Sequence, residues 1–297
     1  MSVLVTGLGG FVGSHCAEEL PAQNLFDDAG LVDLRDAKRV RYAVETLQPE
    51  AVIHLAAQSS VPASISDPRT TYETNFLGTL NLLEALQNSH FRGRMLYVGS
   101  AEVYGAVVES SLPVIEACPA LPLNPYAVSK VAAEAMCRQW SRSGDFEIVI
   151  ARPFNHIGAG QSTQFAVSDF ARQIIECKSA QGRRALQVGN IDTTRDFTDV
   201  RDIVKAYVAL LRAGRNGDTY NVCSGAERSL RELISVMLSV AGIEMDIEID
   251  QNRLRSSDQR RMCGSFAKLH ADTGWTPKIP IEQTLHDVLN YWEKAAS

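Results

Sequence analysis

The chain has 297 residues, 45% of them hydrophobic and 22% charged, which is the composition of an ordinary globular protein with a sizeable core. Its net charge of −6 and the lack of a long basic run argue against nucleic acid or an anionic membrane as a partner. Glycines interrupt the apolar start of the chain within a few residues, so we predict neither a signal peptide nor a membrane span and expect a cytoplasmic protein. The six His and six Cys residues show no ligand spacing, and no metal site is predicted.

The N-terminal segment has the pattern of a dinucleotide-binding unit. A short apolar strand at residues 3–5 is followed by a glycine turn and a predicted helix over about residues 14–20. Gly7, Gly10 and Gly13 have the spacing G-x-x-G-x-x-G, which permits a tight turn, a close approach of the backbone to a pyrophosphate, and packing of the helix on the strand. Glycine turns also serve other purposes, but a position between strand and helix is the context that this motif requires.

The second strand of this unit is missing or short. Residues 21–30 contain no convincing strand, and the next candidate strand covers residues 31–34. Asp33 lies 20 residues after Gly13, where an acidic group could bind a ribose hydroxyl. Asp33 could equally hold the adenine end of a dinucleotide, with the second strand truncated.

The next two elements continue an alternation of helix and strand. A predicted helix over about residues 36–48 leads to a strand at residues 51–57, which is apolar on both faces, as a buried parallel strand should be. His54 within this strand is predicted to be a packed residue rather than a metal ligand. The small side chains of Ala56 and Ala57 would let a cofactor lie close to the strand end.

A helix over residues 74–86 and a strand over residues 94–100 extend the pattern, which predicts an α/β fold with a Rossmann-like, doubly wound parallel sheet. Ser100 ends its strand at the carboxyl edge of the sheet, where such folds bind ligands. A serine in this position is often only a turn residue. Here it is followed by Ala101 and Glu102, and a second candidate for chemistry lies 26 residues later.

That candidate is a pair of side chains near the start of a helix. Asn124 is a good N-cap and Pro125 suits the first helical position, so Tyr126 and Lys130, four residues apart, become neighbours on one helix face. An ammonium beside a phenol favours the phenolate and lowers the pKa of the tyrosine from about 10, as proton transfer near neutral pH requires. The alternative is an ordinary helix surface, which the pair alone does not exclude.

The last part of the chain changes character after a strand at residues 148–153. Asn155 follows this strand, either as a turn residue or as a polar contact for a ligand phosphate. We predict a dinucleotide-binding domain over residues 1–155 and a smaller α/β substrate-binding lobe over residues 156–297, with a possible return to the main sheet near residue 220. Helices are predicted in this second part over residues 165–178, 200–213, 229–241 and 281–295.

Two basic stretches in the second part stand out against the acidic composition. Arg195 lies just before a predicted helix, and residues 253–261, which include Arg255, hold four arginines in nine positions. An arginine run is usually a solvated surface, but beside a dinucleotide fold the recognition of a pair of phosphates by guanidinium groups becomes a comparable alternative.

Taken together, these motifs resemble the extended short-chain dehydrogenases/reductases that act on nucleotide sugars, over essentially the whole chain. The motifs that carry the resemblance are Thr6-Gly7-x-x-Gly10-Phe11-Val12-Gly13, His54-Leu55-Ala56-Ala57, Ser100, Tyr126-x-x-x-Lys130, Arg152-Pro153-Phe154-Asn155 and Arg195-Asp196-Phe197. Further similarity, at residues 154–161, 188–190, 220–225 and 273–275, is to family members that reduce a GDP-linked keto sugar. The resemblance implies reduction of the 4-keto group of GDP-4-keto-6-deoxy-D-mannose to GDP-D-rhamnose by NADPH or NADH, with a GDP-sugar as substrate and a homodimer or tetramer as the assembly.

The resemblance also implies roles by position. Tyr126 would deliver a proton to the C4 oxygen, Lys130 would lower its pKa and hold the nicotinamide ribose, and Ser100 would hydrogen-bond the keto oxygen. Coenzyme contacts are implied at Gly7, Gly10, Phe11, Val12, Gly13, Asp33, Leu34, Leu55, Ala56, Ala57, Tyr126 and Lys130. Substrate contacts are implied at Ser100, Ala101, Glu102, Asn155, Asn190, Arg195, Arg255 and Asp258.

Two departures from the family pattern leave alternatives open. The missing or truncated second strand removes the place where such enzymes choose between a ribose hydroxyl and a 2′-phosphate, so NADH and NADPH remain alternatives. Glu102 falls where the family's dehydratases hold a base for the C5 proton, which keeps a GDP-mannose 4,6-dehydratase as an alternative, although the chain is short for one. A catalytically silent dinucleotide sensor is a third hypothesis, against which Ser100, Tyr126 and Lys130 speak.

Overall fold

The computed structural model describes residues 2–180, 185–253 and 259–296. The first half of the chain alternates strands and helices in this order: β1 (Val3–Thr6), α1 (Phe11–Glu19), β2 (Ala22–Gln23), β3 (Phe26–Asp27), β4 (Gly30–Leu31), α2 (Ala37–Leu47), β5 (Ala51–His54), α3 (Val61–Ser66), α4 (Pro68–Tyr72), α5 (Gly78–Asn88), β6 (Arg94–Val98), α6 (Pro125–Ser143) and β7 (Glu147–Pro153). A π-helical turn (Glu73–Leu77) joins α4 to α5. Two 3-10 turns, Ala101–Tyr104 and Glu109–Ser111, lie between β6 and α6.

The second half has shorter strands between longer helices. Its elements are β8 (Asn155–Ile157), α7 (Ala166–Ala180), β9 (Leu186–Val188), β10 (Thr194–Asp199), α8 (Val200–Ala213), β11 (Thr219–Val222), β12 (Glu227–Ser229), α9 (Leu230–Ala241), β13 (Ile247–Ile249), a 3-10 turn (Gln251–Arg253), β14 (Arg261–Met262), α10 (Ala267–Thr273) and α11 (Ile281–Ala296).

Six parallel strands form the main sheet, in the order β11-β7-β6-β5-β1-β2. Because successive side chains of a strand point to opposite faces, Leu4 packs into a core with α2, α5 and α6, while Val3 and Val5 pack into a second core with α1 and α8. Both faces of the sheet are therefore covered, which confirms the predicted Rossmann-like fold. The strand order reverses between β1 and β5, and ligands bind such sheets beyond the carboxyl ends of the strands at that point.

The second strand exists, but it is shorter than this unit usually has. Ala22 pairs with Val3 and Gln23 with Leu4, and the pairing ends there. The strand expected over residues 31–34 was wrong, since only its first residue lies in a strand, within a small antiparallel hairpin of β3 and β4. A carboxylate oxygen of Asp33 accepts a hydrogen bond from the backbone N–H of Arg35 at 2.9 Å, which turns the chain instead of extending it.

Several other boundaries also differ from the expectations, since β5 ends at His54 rather than at residue 57 and β6 ends at Val98 rather than at residue 100. Helix α1 begins at Phe11 rather than near residue 14, because Gly10 is its N-cap. The helix expected over residues 74–86 begins earlier, since α4 continues through the π-helical turn into α5. The strand β10, which contains Arg195, was not predicted, and it leads directly into α8.

The smaller lobe is built around β10, which pairs with β8, β12 and β14, while β9 and β13 form a separate parallel pair. Helices α7, α9 and α11 pack together with β9 around an apolar core that includes Ile174, Leu186, Ile234 and Leu285. Helix α8 packs on the main sheet and β11 pairs with β7 at its edge, so residues 200–222 belong structurally to the first unit. A division of the chain at residue 155 into a coenzyme domain and a substrate lobe stays a prediction.

Candidate active site

The loop between β1 and α1 has the geometry of a phosphate-binding turn. Gly7 has a φ of +77°, and a Cβ at this position would lie 3.0 Å from the backbone nitrogen of Ala56. A Cβ at Gly13 would lie 2.3 Å from the carbonyl oxygen of Gly7, so this glycine lets the helix pack on the turn. Gly10 is the N-cap of α1 and has no side chain to cover the first amides, which begin at Phe11. The three glycines thus have distinct roles, and together they fit the pyrophosphate of a dinucleotide.

The end of β5 lies directly against this glycine turn. The backbone N–H of Leu55 donates to the carbonyl oxygen of Thr6 at 3.3 Å, and that of Ala56 donates to Thr6 Oγ1 at 3.2 Å. Leu55, Ala56 and Ala57 are all half-buried. The structure therefore brings these three predicted coenzyme contacts to the strand pair at which the order of the sheet reverses.

Phe11 and Val12, the first two residues of α1, contact other parts of the protein. The Phe11 ring stacks on the His156 ring, with 6.2 Å between centroids and 7° between planes, and it makes an edge contact with His15 at 5.6 Å. Val12 packs against the core between α1 and α8. Coenzyme contacts by these two side chains stay predictions.

Asp33 and Leu34 lie in the turn before α2 and differ in burial. Asp33 is exposed and forms an ion pair with Arg35 at 2.5 Å, which lowers the pKa of the carboxyl group. Leu34 is buried in the core, and its carbonyl oxygen accepts a hydrogen bond from Asn81 Nδ2 at 2.7 Å. A coenzyme contact stays a prediction for each of them, and any contact with Asp33 competes with the Arg35 guanidinium.

The predicted catalytic pair lies at the start of α6, as the sequence indicated. Asn124 caps the helix, with its Oδ1 accepting from the backbone N–H of Ala127 at 2.8 Å. Tyr126 and Lys130 are both buried, and the Ser100 hydroxyl lies close enough to the Tyr126 phenol to lower its pKa. Lys130 Nζ donates to the carbonyl oxygen of Val98, the last residue of β6, at 2.8 Å. The three predicted catalytic side chains are therefore brought together at the carboxyl edge of the sheet.

Burial controls the pKa values of this group, and the expected influence of Lys130 on the phenol was wrong. Burial raises the pKa of Tyr126 to about 12, against the lowering effect of the nearby Ser100 hydroxyl. Burial lowers the pKa of Lys130 to about 8. The ammonium lies 5.9 Å from the centroid of the Tyr126 ring and donates to a carbonyl oxygen, so desolvation outweighs its attraction for a phenolate. Tyr126 is consequently a protonated acid at neutral pH.

Glu102 follows Ser100 closely but differs from it in exposure. Ser100 is the N-cap of the 3-10 turn, and its Oγ accepts from the backbone N–H of Glu102 at 3.2 Å. The Glu102 side chain is exposed, and its charge contributes to the raised pKa of Tyr126. Ala101, the third predicted substrate contact of this segment, is buried. Glu102 is thus near the predicted catalytic side chains and open to solvent.

Asn75, near the start of its predicted helix, was given no site role from the sequence, yet it contacts α6. It lies in the π-helical turn, is buried, and its Nδ2 donates to Ser129 Oγ at 2.9 Å. The Ser129 hydroxyl in turn donates to the carbonyl oxygen of Tyr126 at 2.7 Å. The amide of Asn75 also exchanges two hydrogen bonds with the backbone of Gln58. An asparagine inside an apolar helical pattern was the only signal available for it.

His54 extends this hydrogen-bonded chain to the glycine turn. Its Nδ1 is 2.7 Å from Thr6 Oγ1 and its Nε2 is 2.9 Å from Thr79 Oγ1, whose hydroxyl donates to the carbonyl oxygen of Asn75 at 2.7 Å. Burial lowers the pKa of His54 to about 3, so the ring is neutral. The prediction of a packed histidine is confirmed, and the chain of polar groups links the end of β1 to the catalytic helix.

The predicted substrate contacts of the smaller lobe lie near β10. Asn155 is exposed on β8 and pairs with Phe197 of β10. Arg195 lies two residues earlier on β10, half-buried, and its Nη1 donates to the carbonyl oxygen of Thr194 at 2.8 Å. Asn190 is exposed after β9, and its Oδ1 accepts from the backbone N–H of Asp192 at 3.2 Å.

Two further predicted contacts, Arg255 and Asp258, lie outside the described residues. Among residues 2–180, 185–253 and 259–296, no cluster of three or more His, Cys, Asp or Glu side chains is arranged to hold a metal ion. Within the same ranges, no helix combines the length and the apolar character that crossing a membrane requires.

The chain is similar to known proteins, both to a family and to individual relatives. Residues 29–288 match the family model described as GDP-mannose 4,6 dehydratase. The chain is 45% identical to GDP-6-deoxy-D-mannose reductase of Pseudomonas aeruginosa, over 98% of this chain and 97% of the relative. It is 27% identical to GDP-6-deoxy-D-talose 4-dehydrogenase of Aggregatibacter actinomycetemcomitans, over 91% of this chain and 90% of that protein.

Solved structures show the same fold. The structure of RMD from Pseudomonas aeruginosa complexed with NADPH superposes with a TM-score of 0.92 at 44% identity, over 99% of each chain. UDP-glucose 4-epimerase of Thermus thermophilus complexed with NAD superposes with a TM-score of 0.87 at 29% identity, over 99% of this chain and all of that chain.

Proposed function

The chain belongs to the GDP-mannose 4,6-dehydratase family, and from this premise we propose that it reduces the 4-keto group of GDP-4-keto-6-deoxy-D-mannose to GDP-D-rhamnose with NADPH or NADH. The observation that carries this proposal is the placement of the Ser100 hydroxyl near the buried Tyr126 phenol and the buried Lys130 ammonium, at the edge of the sheet that holds the glycine turn. The Pseudomonas relative named as a GDP-6-deoxy-D-mannose reductase supports the choice of substrate.

The side chains present suffice for the proton chemistry of a ketone reduction. NADPH or NADH, which the glycine turn at Gly7, Gly10 and Gly13 would hold, would supply the hydride for C4. Ser100 donates a hydrogen bond to the C4 oxygen, and Tyr126 transfers its phenolic proton to that oxygen as negative charge develops there. The Tyr126 phenol is protonated before the reaction, since its pKa is raised to about 12, and the nearby Lys130 ammonium stabilises the phenolate that results.

We propose that the smaller lobe binds the nucleotide diphosphate of the substrate. Asn155 and Arg195 share the β8–β10 pair, so their polar groups can address one anionic ligand. Asn190, Arg255 and Asp258 are proposed as further contacts on the family resemblance. Guanosine diphosphate should raise the melting temperature of the protein by mass action, whereas uridine diphosphate should not, and an equal effect of the two would contradict the assignment of GDP.

The test of the reaction is to supply the purified protein with the 4-keto-6-deoxy sugar and NADPH or NADH, and to follow coenzyme absorbance together with the identity of the product. Coenzyme oxidation with formation of GDP-D-rhamnose is the expected result. A second candidate, a GDP-mannose 4,6-dehydratase, is favoured by the position of Glu102 two residues after Ser100. Conversion of GDP-mannose to the keto sugar without net consumption of coenzyme would establish that second function instead.

We further propose that the protein acts in the cytoplasm, where NADPH and nucleotide sugars are held, and that it forms a homodimer. Four large apolar side chains are exposed on adjoining elements, namely Ile65 of α3, Tyr72 of α4, Leu77 of the π-helical turn and Val128 of α6. A second copy is the simplest cover for such a face, because a two-fold interface is self-complementary. A tetramer is the alternative assembly.

Sedimentation distinguishes these assemblies. We expect a dimer for the unchanged protein and a monomer for Val128→Glu, which places a charge in the proposed contact. The matched control is Leu31→Glu, a comparably exposed apolar residue on the β3–β4 hairpin. A monomer in the unchanged protein, or an equal effect of the control, would rule out this interface.

A further inference from the structure

A buried ion pair lies one helical turn beyond Lys130. The Glu134 side chain on α6 is 1% exposed, and its carboxylate accepts from Arg152 Nε at 2.9 Å and Nη2 at 2.7 Å. Arg152, on β7, is 3% exposed. Burying two charges usually costs more than hydrophobic packing of the same volume, so such a pair calls for an explanation other than stability.

The Glu134 carboxylate lies against Gly99, in the turn that carries Ser100. A Cβ at Gly99 would lie 2.8 Å from Glu134 Oε1, so the glycine backbone rests against the carboxylate and no larger residue fits. Gly99 separates Ser100 from Val98, whose carbonyl oxygen accepts from Lys130. Glu134 therefore contacts Gly99, which lies between Val98, the acceptor of the Lys130 hydrogen bond, and Ser100.

Arg152 extends this support to the other end of the same turn. Its guanidinium carbon lies 4.8 Å from the centroid of the Tyr104 ring, and the Tyr104 hydroxyl donates to Asn221 Oδ1 at 2.6 Å. Tyr104 ends the 3-10 turn that Ser100 caps. The ion pair is thus packed against both ends of the segment that positions the Ser100 hydroxyl.

Glu134 also supplies charge near Lys130. The groups that surround the ammonium in the described part of the chain are Tyr126, Glu134 and Cys137 of α6, Tyr97 of β6 and His54 of β5. Burial raises the pKa values of Tyr97 and Cys137 and lowers that of His54, so these groups are neutral near pH 7. The ion-paired carboxylate of Glu134 is the anion of this set, and it opposes the lowering of the Lys130 pKa by burial.

We propose that Glu134 is a positioning residue for the reduction, which fixes the Val98–Ser100 turn through its contact with Gly99 and supplies the negative charge that the buried Lys130 ammonium requires. This inference rests on the ketoreductase function proposed above. Glu134 acts through Lys130 and Ser100 rather than by direct contact with substrate or coenzyme.

The direct test is a titration of Lys130 by NMR, in protein whose lysines carry carbon-13 at Cε, with the resonance assigned by its absence from Lys130→Met. In Glu134→Gln the shape is kept and the charge is lost, so the pKa of Lys130 should fall by about one unit or more. The matched control is Glu147→Gln, because Glu147 is also held by an arginine, Arg94, but is half-exposed at the far end of β7. An unchanged Lys130 titration in Glu134→Gln would overturn the proposed charge effect.

Kinetics provide a second readout that a merely structural role would not move. The basic limb of the pH profile of kcat/KM should shift to lower pH in Glu134→Gln, in step with the NMR titration, and should stay in place in the control. Glu134→Asp keeps the charge but withdraws it from Gly99, so its limb should stay near that of the unchanged protein while kcat falls about tenfold. Full kcat in Glu134→Asp would overturn the positioning of the turn.

A double variant provides the same titration test if Glu134→Gln does not fold. If Glu134→Gln does not fold because Arg152 loses its carboxylate partner, the double variant Glu134→Gln/Arg152→Met removes both charges of the pair. A smaller fall in the Lys130 pKa is then expected, because the positive charge of Arg152 is lost as well. Since the NMR titration needs no turnover, an absence of keto-sugar reduction in the unchanged protein refutes the proposed function alone. An unchanged titration in the double variant refutes the role of Glu134.

Discussion

The Ser100 hydroxyl lies near the Tyr126 phenol, although the two residues come from different elements, the turn that follows β6 and the start of α6. This placement holds a hydrogen-bond donor and a proton donor at one point on the carboxyl edge of the sheet. The phenol is kept protonated by its burial. The arrangement is that of an acid ready to protonate a developing alkoxide.

Removal of the Tyr126 hydroxyl should therefore abolish most of the activity. In Tyr126→Phe we expect kcat for keto-sugar reduction to fall roughly 10²- to 10⁴-fold, because the proton donor is lost. Unfolding free energy should change by only about 1 kcal/mol, the contribution of one hydrogen bond. Stopped-flow absorbance and thermal melting measure the two effects, with Tyr291→Phe on the exposed face of α11 as control. Activity within a few-fold of the unchanged protein would exclude Tyr126 as the acid.

The activity should decline as Lys130 loses its proton. Burial lowers the pKa of this ammonium to about 8, so its charge is present below that pH and is lost as the pH rises through it. The basic limb of kcat/KM, which reports the free enzyme, should lie near this value. In Lys130→Arg the limb should move to higher pH, since a guanidinium stays charged. A profile that stays flat beyond about pH 10 in the unchanged protein would contradict this assignment.

A side chain at Gly10 should block the coenzyme without unfolding the chain. The nearest atom to a Cβ at Gly10 is the carbonyl oxygen of Gly7 at 3.2 Å, whereas a Cβ at Gly13 would lie 2.3 Å from that oxygen. Gly10→Val should thus abolish NADPH and NADH binding in calorimetry while the fold is largely kept. Gly13→Ala should also lower the melting temperature of the protein, because its Cβ would overlap the carbonyl oxygen of Gly7. Unchanged coenzyme affinity in folded Gly10→Val would mean that this turn is not the coenzyme site.

Glu102 separates the reductase from the dehydratase. Its side chain is exposed, and ketone reduction needs only Ser100, Tyr126 and Lys130, so Glu102→Gln should retain a large part of kcat with the keto sugar. Elimination from GDP-mannose needs a base for the C5 proton, and loss of a general base costs roughly 10²- to 10⁴-fold. Product formation from both substrates should be compared with Glu109→Gln, an exposed carboxylate on the following 3-10 turn. A loss of that size with the keto sugar would argue against the simple reductase.

Arg195 should contribute to substrate affinity through its charge. A guanidinium contact with a phosphate is worth roughly 1.5 to 3 kcal/mol, so Arg195→Gln should weaken GDP binding about tenfold or more. The same loss is expected for Arg255→Ala from the sequence pattern. Arg231→Gln is the control, since Arg231 is an exposed arginine paired with Asp192. If all of these variants bind GDP with equal dissociation constants, Arg195 and Arg255 are ordinary surface charges.

Local patterns were sufficient for much of the fold and of the site. The glycine spacing, the cap at Asn124 and the apolar run of β5 each depend on a few consecutive residues, and the structure confirms all three. A strand that is buried on both faces must be apolar, and a helix start is stabilised by a cap, so both features are visible in a short stretch of sequence. Ser100, Tyr126 and Lys130 were proposed on the same kind of local pattern, each from its own strand end or helix start, and their catalytic roles stay predictions.

Only the tertiary structure decided what depends on contacts between distant segments. The two-residue pairing of β2 with β1 and the chain of polar groups from Thr6 through His54 to Asn75 join residues far apart in sequence, which no local pattern records. The pKa of Tyr126 is the clearest case. The sequence spacing predicted that Lys130 would lower this pKa. Folding instead buries both side chains, and the loss of hydration of a phenolate raises the pKa of Tyr126 by more than the Lys130 ammonium, 5.9 Å from the ring centroid, lowers it.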